Sequence, residues 1–259
     1  MRFASLSTFH PFRGGIAQFN ARLMRELQHS GHQVDPFTFT TQYPDRLFPG
    51  KTQMVTAEDV ADPIDAPRVL SSIDPRTWSR AAGIIARTQP DVLLMKYWMS
   101  FFGPSLGTVA GRLRKRGVKA LTVLDNVVPH EGRFFDKAFT RYFLNRNDGF
   151  IAMSDKVRRD LLSFRPDAQV ITLPHPLYDH FGSPLPVAEA RQRLGIGATH
   201  KVVLFFGFIR DYKGLDLLID AMAKVPEDSL LVIAGEPYGD VSRYKQAIAR
   251  LGLEGRVRD

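Results

Sequence analysis

No cysteine occurs among the 259 residues. Disulfides and thiolate chemistry are therefore excluded, and a reducing compartment is permitted without being required. Long apolar runs are also absent. The opening stretch Met1-Arg2-Phe3-Ala4-Ser5-Leu6 gives way at once to polar residues, too short for a signal peptide or a membrane span. No later run approaches the ~18 residues that a spanning helix needs. His10, His130, His175 and His180 do not form a zinc spacing, and no other metal-ligand cluster stands out. Acidic residues are in deficit: 27 against 35 Lys and Arg, for a formal charge of +8. That balance invites a polyanion or an acidic membrane surface. The densest basic run is Arg112-Leu113-Arg114-Lys115-Arg116. It reads as the solvated end of a helix, where cations complement the dipole, or as a membrane-surface contact. No aromatic interleaving or recognised motif supports nucleic acid.

What is present fits an ordinary soluble globular protein, with 44% hydrophobic and 24% charged residues and length enough for one large domain or two modest ones. Residues 2–8 suit a first buried strand. The loop through Gly14-Gly15 follows, then a helix with Ile16, Phe19, Leu23 and Leu27 on one face, then a strand over 33–38. Residues 40–75 are rich in Pro, Asp and Thr and read as an irregular excursion. Helices over 76–87 and from Phe101 to about Arg116, around residues 135–143 and after Ser154 then alternate with strands at 92–95, 118–124, 149–153 and 170–173. Such alternation predicts a doubly wound, mostly parallel sheet, in which ligands collect at the carboxyl ends of strands. Those ends carry Gly14-Gly15, Tyr97-Trp98, Asp125-Asn126 and Ser154. Ser154 is also a good helix N-cap.

The proline-rich stretch from Pro174 to Pro186 breaks the alternation, and the division expected from it is 1–182 and 183–259. After it a short helix covers 187–194, and Lys201 opens a second series: strand 202–206, helix 214–224, strand 230–235 and a helix through Tyr244, Ile248 and Leu251. The series stops at Gly255–Asp259, where a further strand is due.

The second series opens with Phe205-Phe206-Gly207-Phe208-Ile209-Arg210-Asp211-Tyr212-Lys213-Gly214. An apolar run, read as a buried strand, feeds a loop with two cations and then a helix start, a place to hold an anion. Gly14-Gly15 sits at an earlier helix start, where its amides could face a phosphate. It is not G-x-G-x-x-G, so a plain tight turn stays equally open, and a nicotinamide-dependent oxidoreductase is disfavoured.

On the glycine pair, the Gly207 loop with Arg210 and Lys213, and Ala234-Gly235-Glu236, the chain resembles the GT-B glycosyltransferases of glycosyltransferase family 4. The resemblance extends over essentially the whole chain. It implies a GT-B type α/β fold: a complete Rossmann-like N-terminal domain on the acceptor side and a partial second Rossmann-like domain on the donor side. It also implies transfer of a sugar from a nucleotide-sugar with retention of configuration and without a catalytic metal. The nucleotide-sugar is then a substrate, and no cofactor is expected. Arg210 and Lys213, with Gly207, are expected at the donor diphosphate, and Gly14 and Gly15 approach the donor from the other domain. Asp125 stands where many members carry a histidine near the sugar, so that histidine's role does not transfer. Asp125 as a sugar-hydroxyl acceptor and Asp125 as a turn residue are both open. His130, beside Glu131, faces the acceptor or caps a helix. Residues 174–178 depart from the Asn-Gly-Val-Asp common at that point.

Family members also carry an E-x7-E pair further on, and Glu236 and Glu254 lie too far apart to be it. The chain is therefore expected to be C-terminally truncated. The implied partners are a nucleotide-sugar donor and a glycan or lipid-linked acceptor in cell-surface polysaccharide or glycolipid synthesis. No nucleic acid is expected. The implied location is cytoplasmic, with peripheral contact at the inner face of the membrane. The alternative is a non-catalytic glycan- or partner-binding protein on the same fold.

Overall fold

The computed structural model describes residues 1–44, 48, 52–57, 59, 61–128, 134–177 and 182–259. The chain divides into two compact units, one within residues 1–177 and the other within residues 182–259.

The first unit contains β1 (Arg2–Leu6), α1 (Gly15–His29), β2 (Gln33–Thr41), β3 (Arg68–Ser71), α2 (Pro75–Arg87) and β4 (Val92–Tyr97). A 3-10 turn, Ser100–Phe102, leads into α3 (Gly103–Arg114), followed by β5 (Lys119–Leu124), α4 (Asp136–Leu144), β6 (Gly149–Ala152), α5 (Asp155–Phe164) and β7 (Val170–Thr172). The seven strands lie in the order β3-β2-β1-β4-β5-β6-β7 and every pairing is parallel. This is the expected doubly wound sheet. Its order reverses between β1 and β4, the place where such sheets open a crevice for ligands.

β4 is central and buried at all six positions, and the strand reads as an apolar run because both faces are covered. Leu93, Met95 and Tyr97 enter the core under α2, α3 and α4, while Val92 and Leu94 join Phe19 and Met24 of α1. Lys96 is the exception to this pattern.

β3 corrects the irregular excursion read over 40–75. It has only four residues and pairs with β2 through an interrupted register. Arg68 helps hold it there, donating to the carbonyls of Phe39 and Thr40 at 3.0 and 2.7 Å.

α3 and α4 run side by side along a stripe of glycine. A methyl added at Gly103 would collide with the carbonyl oxygen of Phe139, one at Gly107 would lie 2.9 Å from the Tyr142 ring, and one at Gly111 would lie 3.2 Å from Arg146. Gly103→Ala is expected to cost about 1–3 kcal/mol, the usual range for overpacking. Thermal unfolding checks this, and an unchanged midpoint would contradict the close packing.

The second unit contains α6 (Val187–Arg193), β8 (Lys201–Phe206), α7 (Leu215–Met222), β9 (Ser229–Ala234), α8 (Ser242–Arg250) and β10 (Val257–Arg258). The strands form a parallel sheet in the order β10-β9-β8. Leu215, Ile219 and Met222 pack with Leu231, Ile233 and Tyr244 in its core. The sequence expectation that a strand falls due after 255 is met by β10. The expectation of a buried β8 is corrected: Val202, Leu204 and Phe206 are exposed, and among the described residues β8 pairs with β9 alone. Only Val203 and Phe205, on the opposite face, pack onto the core.

Candidate functional site

In the first unit, β1 ends below a buried polar layer. Asn20 of α1 donates to Ser7 Oγ at 2.8 Å and to the Thr8 carbonyl at 3.0 Å, and Thr8 Oγ1 donates to Gln42 at 2.9 Å. The loop above turns into α1 through Gly14, whose φ of 103° suits glycine. Gly14 caps α1 without a side-chain hydrogen bond, and no acid stands in the first turn. The positive end of the helix dipole favours an anion there. Beside this loop a recess of about 20 Å³, lined in part by Arg13, Gly14, Gln18 and Asp59, has room for about one water. Arg13 lies 3.2 Å from Asp59.

Lys96 and Asp125 meet at the carboxyl ends of β4 and β5. Lys96 Nζ lies 2.7 Å from Asp125 Oδ1, with side-chain exposures of 2% and 21%. The contact is ionic without the alignment of a hydrogen bond. On its other side the ammonium sits 3.4 Å from the centre of the Phe19 ring, a cation-π contact. Burial pushes the Lys96 ammonium below the ordinary lysine range, and Asp125 pulls it back up. The Phe19 ring in turn packs against that of His175 at 5.4 Å. Of the two readings of Asp125, the structure adds a third fact: it is the counter-ion of a buried lysine. The sequence signal for Lys96 was a lone charge between Met95 and Tyr97, just past the apolar run read as a strand.

The other strand ends are committed to packing. The Tyr97 hydroxyl lies 3.0 Å from Thr140 Oγ1, Trp98 Nε1 donates to the Tyr43 hydroxyl at 2.8 Å, and Ser154 accepts from the Val157 amide as an N-cap. Burial pushes the Tyr97 phenol up, out of any acid–base role near neutral pH. His130 and Glu131 lie outside the described residues.

The second unit builds its loop on two glycines. Gly207 leaves β8 with φ 111°. A Cβ at Gly235, just after β9, would overlap the Gly207 carbonyl oxygen and lie 2.7 Å from its carbon. The backbone then zips onward: Ile209 N donates to Glu236 O at 3.0 Å and Tyr238 N to Ile209 O at 3.1 Å. Arg210 emerges over the Tyr238 ring at 4.6 Å. A 3-10 turn, Asp211–Lys213, brings Lys213 one turn further, and Gly214 (φ 72°) starts α7. Arg243 holds Asp211 at 2.6 Å. Arg210 and Lys213 have no carboxylate within ion-pairing distance among the described residues, which leaves both charges for a ligand. Asp216 in the first turn of α7 opposes an anion at that helix end, so a candidate anion site here depends on the two cations rather than on the dipole alone.

Both units are thus parallel αβ layers with a glycine loop at the start of a helix after their first strand. Residues 13–179 match the family model described as Glycosyltransferase Family 4, and residues 186–258 match Glycosyl transferases group 1. The first match alone takes in more than half of the chain, so the chain belongs to that glycosyltransferase family, of GT-B architecture. Among curated proteins it is similar to the lipopolysaccharide core biosynthesis mannosyltransferase LpsB of Rhizobium meliloti (strain 1021), with 28% identity over 132 residues. That alignment takes in 46% of this chain and spans about a third (35%) of the relative. Among solved structures it is similar to Anabaena Alr3699/HepE in complex with UDP, with TM-score 0.69 and 19% identity over 100% of this chain and 68% of that one. The UDP-GlcNAc 2-epimerase of Neisseria meningitidis bound to UDP-GlcNAc follows at TM-score 0.61 and 15% identity, over 100% and 71%. These structural likenesses concern the fold.

Proposed function

We propose that the protein transfers a sugar from a nucleoside-diphosphate-sugar to a glycan or lipid-linked acceptor, with retention of configuration, in cell-surface polysaccharide or glycolipid synthesis. The observation that carries this reading is the pair Arg210 and Lys213, two cations without carboxylate partners among the described residues, on a glycine-built turn after β8. A departing nucleoside diphosphate gains negative charge in the transition state, and fixed cations placed there lower the barrier. Arg210 offers a fork to phosphate oxygens and Lys213 a mobile point charge. With both in place the leaving group needs no metal ion, and the nucleotide-sugar is a substrate rather than a cofactor. Gly207 lets the backbone approach the phosphates, and Gly14 and Gly15 give the first unit a phosphate-facing turn of its own. The family matches and the likeness to LpsB support this reading over the epimerases that share the fold.

Titration calorimetry of UDP and GDP against the full-length gene product tests it. Loss of a charged phosphate contact in Lys213→Ala is expected to weaken binding roughly 10–100-fold. Unchanged affinity removes Lys213 from the site. Binding without any turnover of a panel of nucleotide-sugars favours the non-catalytic glycan-binding alternative.

The same reading places the protein in the cytoplasm, peripheral at the inner face of the membrane. No helix among the described residues is long and apolar enough to cross one. The support is electrostatic: Arg87, Arg112, Lys115, Arg116, Lys137 and Arg141 of the neighbouring helices α2, α3 and α4 and their ends are exposed. The exposed Phe134 stands just before α4. Near a surface of anionic lipid each cation is worth ~1 kcal/mol. Reversing three of them (Arg112→Glu, Lys115→Glu, Arg116→Glu) is expected to reduce co-sedimentation with phosphatidylglycerol vesicles by at least about 10-fold. Equal co-sedimentation would remove the membrane contact.

A further inference from the structure

We propose that Lys96 is a positioning residue: it holds Asp125 oriented so that the carboxylate receives a hydroxyl of a bound sugar. The inference rests on the glycosyltransferase reading and goes beyond it, since that reading gives Lys96 no role. Three observations carry it.

The first is place. Lys96 is the next-to-last residue of β4, the strand beside β1 at the reversal of strand order, where doubly wound sheets receive their ligands. The second is burial. The ammonium is closed off between Asp125 Oδ1 and the Phe19 ring. A buried ion pair costs desolvation that its own attraction seldom recovers, and apolar side chains of similar size often serve the core as well or better. Packing alone therefore does not account for a lysine at this position. The third is the geometry of the carboxylate. Oδ1 is buried and committed to Lys96. The side chain nevertheless keeps 21% of its exposure, and Oδ2 is its remaining open acceptor. With Oδ1 held 2.7 Å from a buried ammonium, Oδ2 is the oxygen left to accept a hydrogen bond. Preorganised charge of this kind is what a polyol site needs: each sugar hydroxyl must lose water and gain an equally good acceptor.

The sugar is recognised here by a hydroxyl donating to Oδ2, a charge-assisted hydrogen bond. Lys96 touches Asp125 and acts through it.

The test uses the full-length gene product and ligand-observed NMR with methyl glycosides of mannose, glucose, galactose and N-acetylglucosamine as probes. UDP calorimetry runs alongside it. The wild-type protein is expected to bind at least one glycoside. Lys96→Met is expected to weaken that glycoside roughly 10–100-fold, the range for loss of a hydrogen bond to a charged group, while UDP affinity stays unchanged. Lys96→Met with Asp125→Asn is expected to be no weaker than Asp125→Asn alone, because Lys96 works only through the aspartate. If Asp125→Asn fails to fold, the comparison is made between Lys96→Met and the double variant, which are expected to be equally weak. A glycoside affinity unchanged in Lys96→Met overturns the proposal, as does a parallel loss of UDP binding, which marks a general structural defect. No glycoside bound while UDP binds overturns the dyad and leaves the donor reading standing. No UDP binding at all removes the donor reading itself.

Discussion

Gly235→Ala is expected to abolish most nucleoside-diphosphate binding without altering any charged residue. Gly235 follows β9, and Gly207, which follows β8, passes directly over it with no room for a methyl group. The contact is backbone on side chain, so no flexible neighbour can yield. One of the two strand ends must move, and with it the ladder that joins Ile209 to Glu236 and Tyr238 to Ile209. Arg210 and Lys213 hang from that ladder, and displacements near 1 Å at a positioned site cost about 100-fold. A loss of that order in UDP affinity is expected, with stability falling by about 1–3 kcal/mol from overpacking. Calorimetry and urea unfolding of the same variant separate the two effects. Wild-type affinity in a folded Gly235→Ala protein would contradict the glycine-on-glycine construction of the loop.

The second large effect concerns stability of the first unit. Asp125→Asn removes the counter-ion of an ammonium that is only 2% exposed. Breaking a buried pair from one side typically costs about 3–5 kcal/mol, a large share of the ~5–15 kcal/mol by which domains are stable. The Phe19 ring offsets part of this through its face. Lys96→Met is the milder change, since the partly exposed Asp125 keeps water on one oxygen; about 1 kcal/mol is expected. The double variant is expected close to the wild type, a strongly non-additive cycle. Urea unfolding of the four proteins measures it, and additive losses would mean that the pair is not coupled.

How much of this was legible in the sequence depended on which strand carried the signal. β4 announced itself because a parallel strand covered on both faces is apolar throughout, and Val92–Met95 fits that pattern. β8 looks the same in sequence but has one neighbour and one covered face, so the identical pattern predicted burial for Val202, Leu204 and Phe206 that the structure does not give them. β3 was invisible because four residues behind a proline-rich stretch show no period, and arginine-to-carbonyl bonds help to hold it.

At the candidate sites, the cations Arg210 and Lys213 were readable from local spacing. The need for glycine at 235 was not, because it arises from a partner 28 positions earlier in the chain. Lys96 lay just past the strand as read from sequence, and its burial depends on α1 and β5 folding over it. Tyr97, Trp98 and Ser154 stood at strand ends, where ligand contact was plausible, and were found in packing or capping roles. Position on a strand end selects candidates, while the partners each side chain has already acquired decide among them.

The most direct measurement is release of nucleoside diphosphate from a panel of nucleotide-sugars, followed by phosphorus NMR on the full-length gene product in the presence of EDTA. The account predicts turnover of at least one donor by the wild-type protein and loss of about two orders of magnitude or more in Arg210→Ala/Lys213→Ala, as expected when fixed charge is removed from a leaving group. Turnover undiminished in that variant would contradict the central claim that these two cations hold the departing diphosphate.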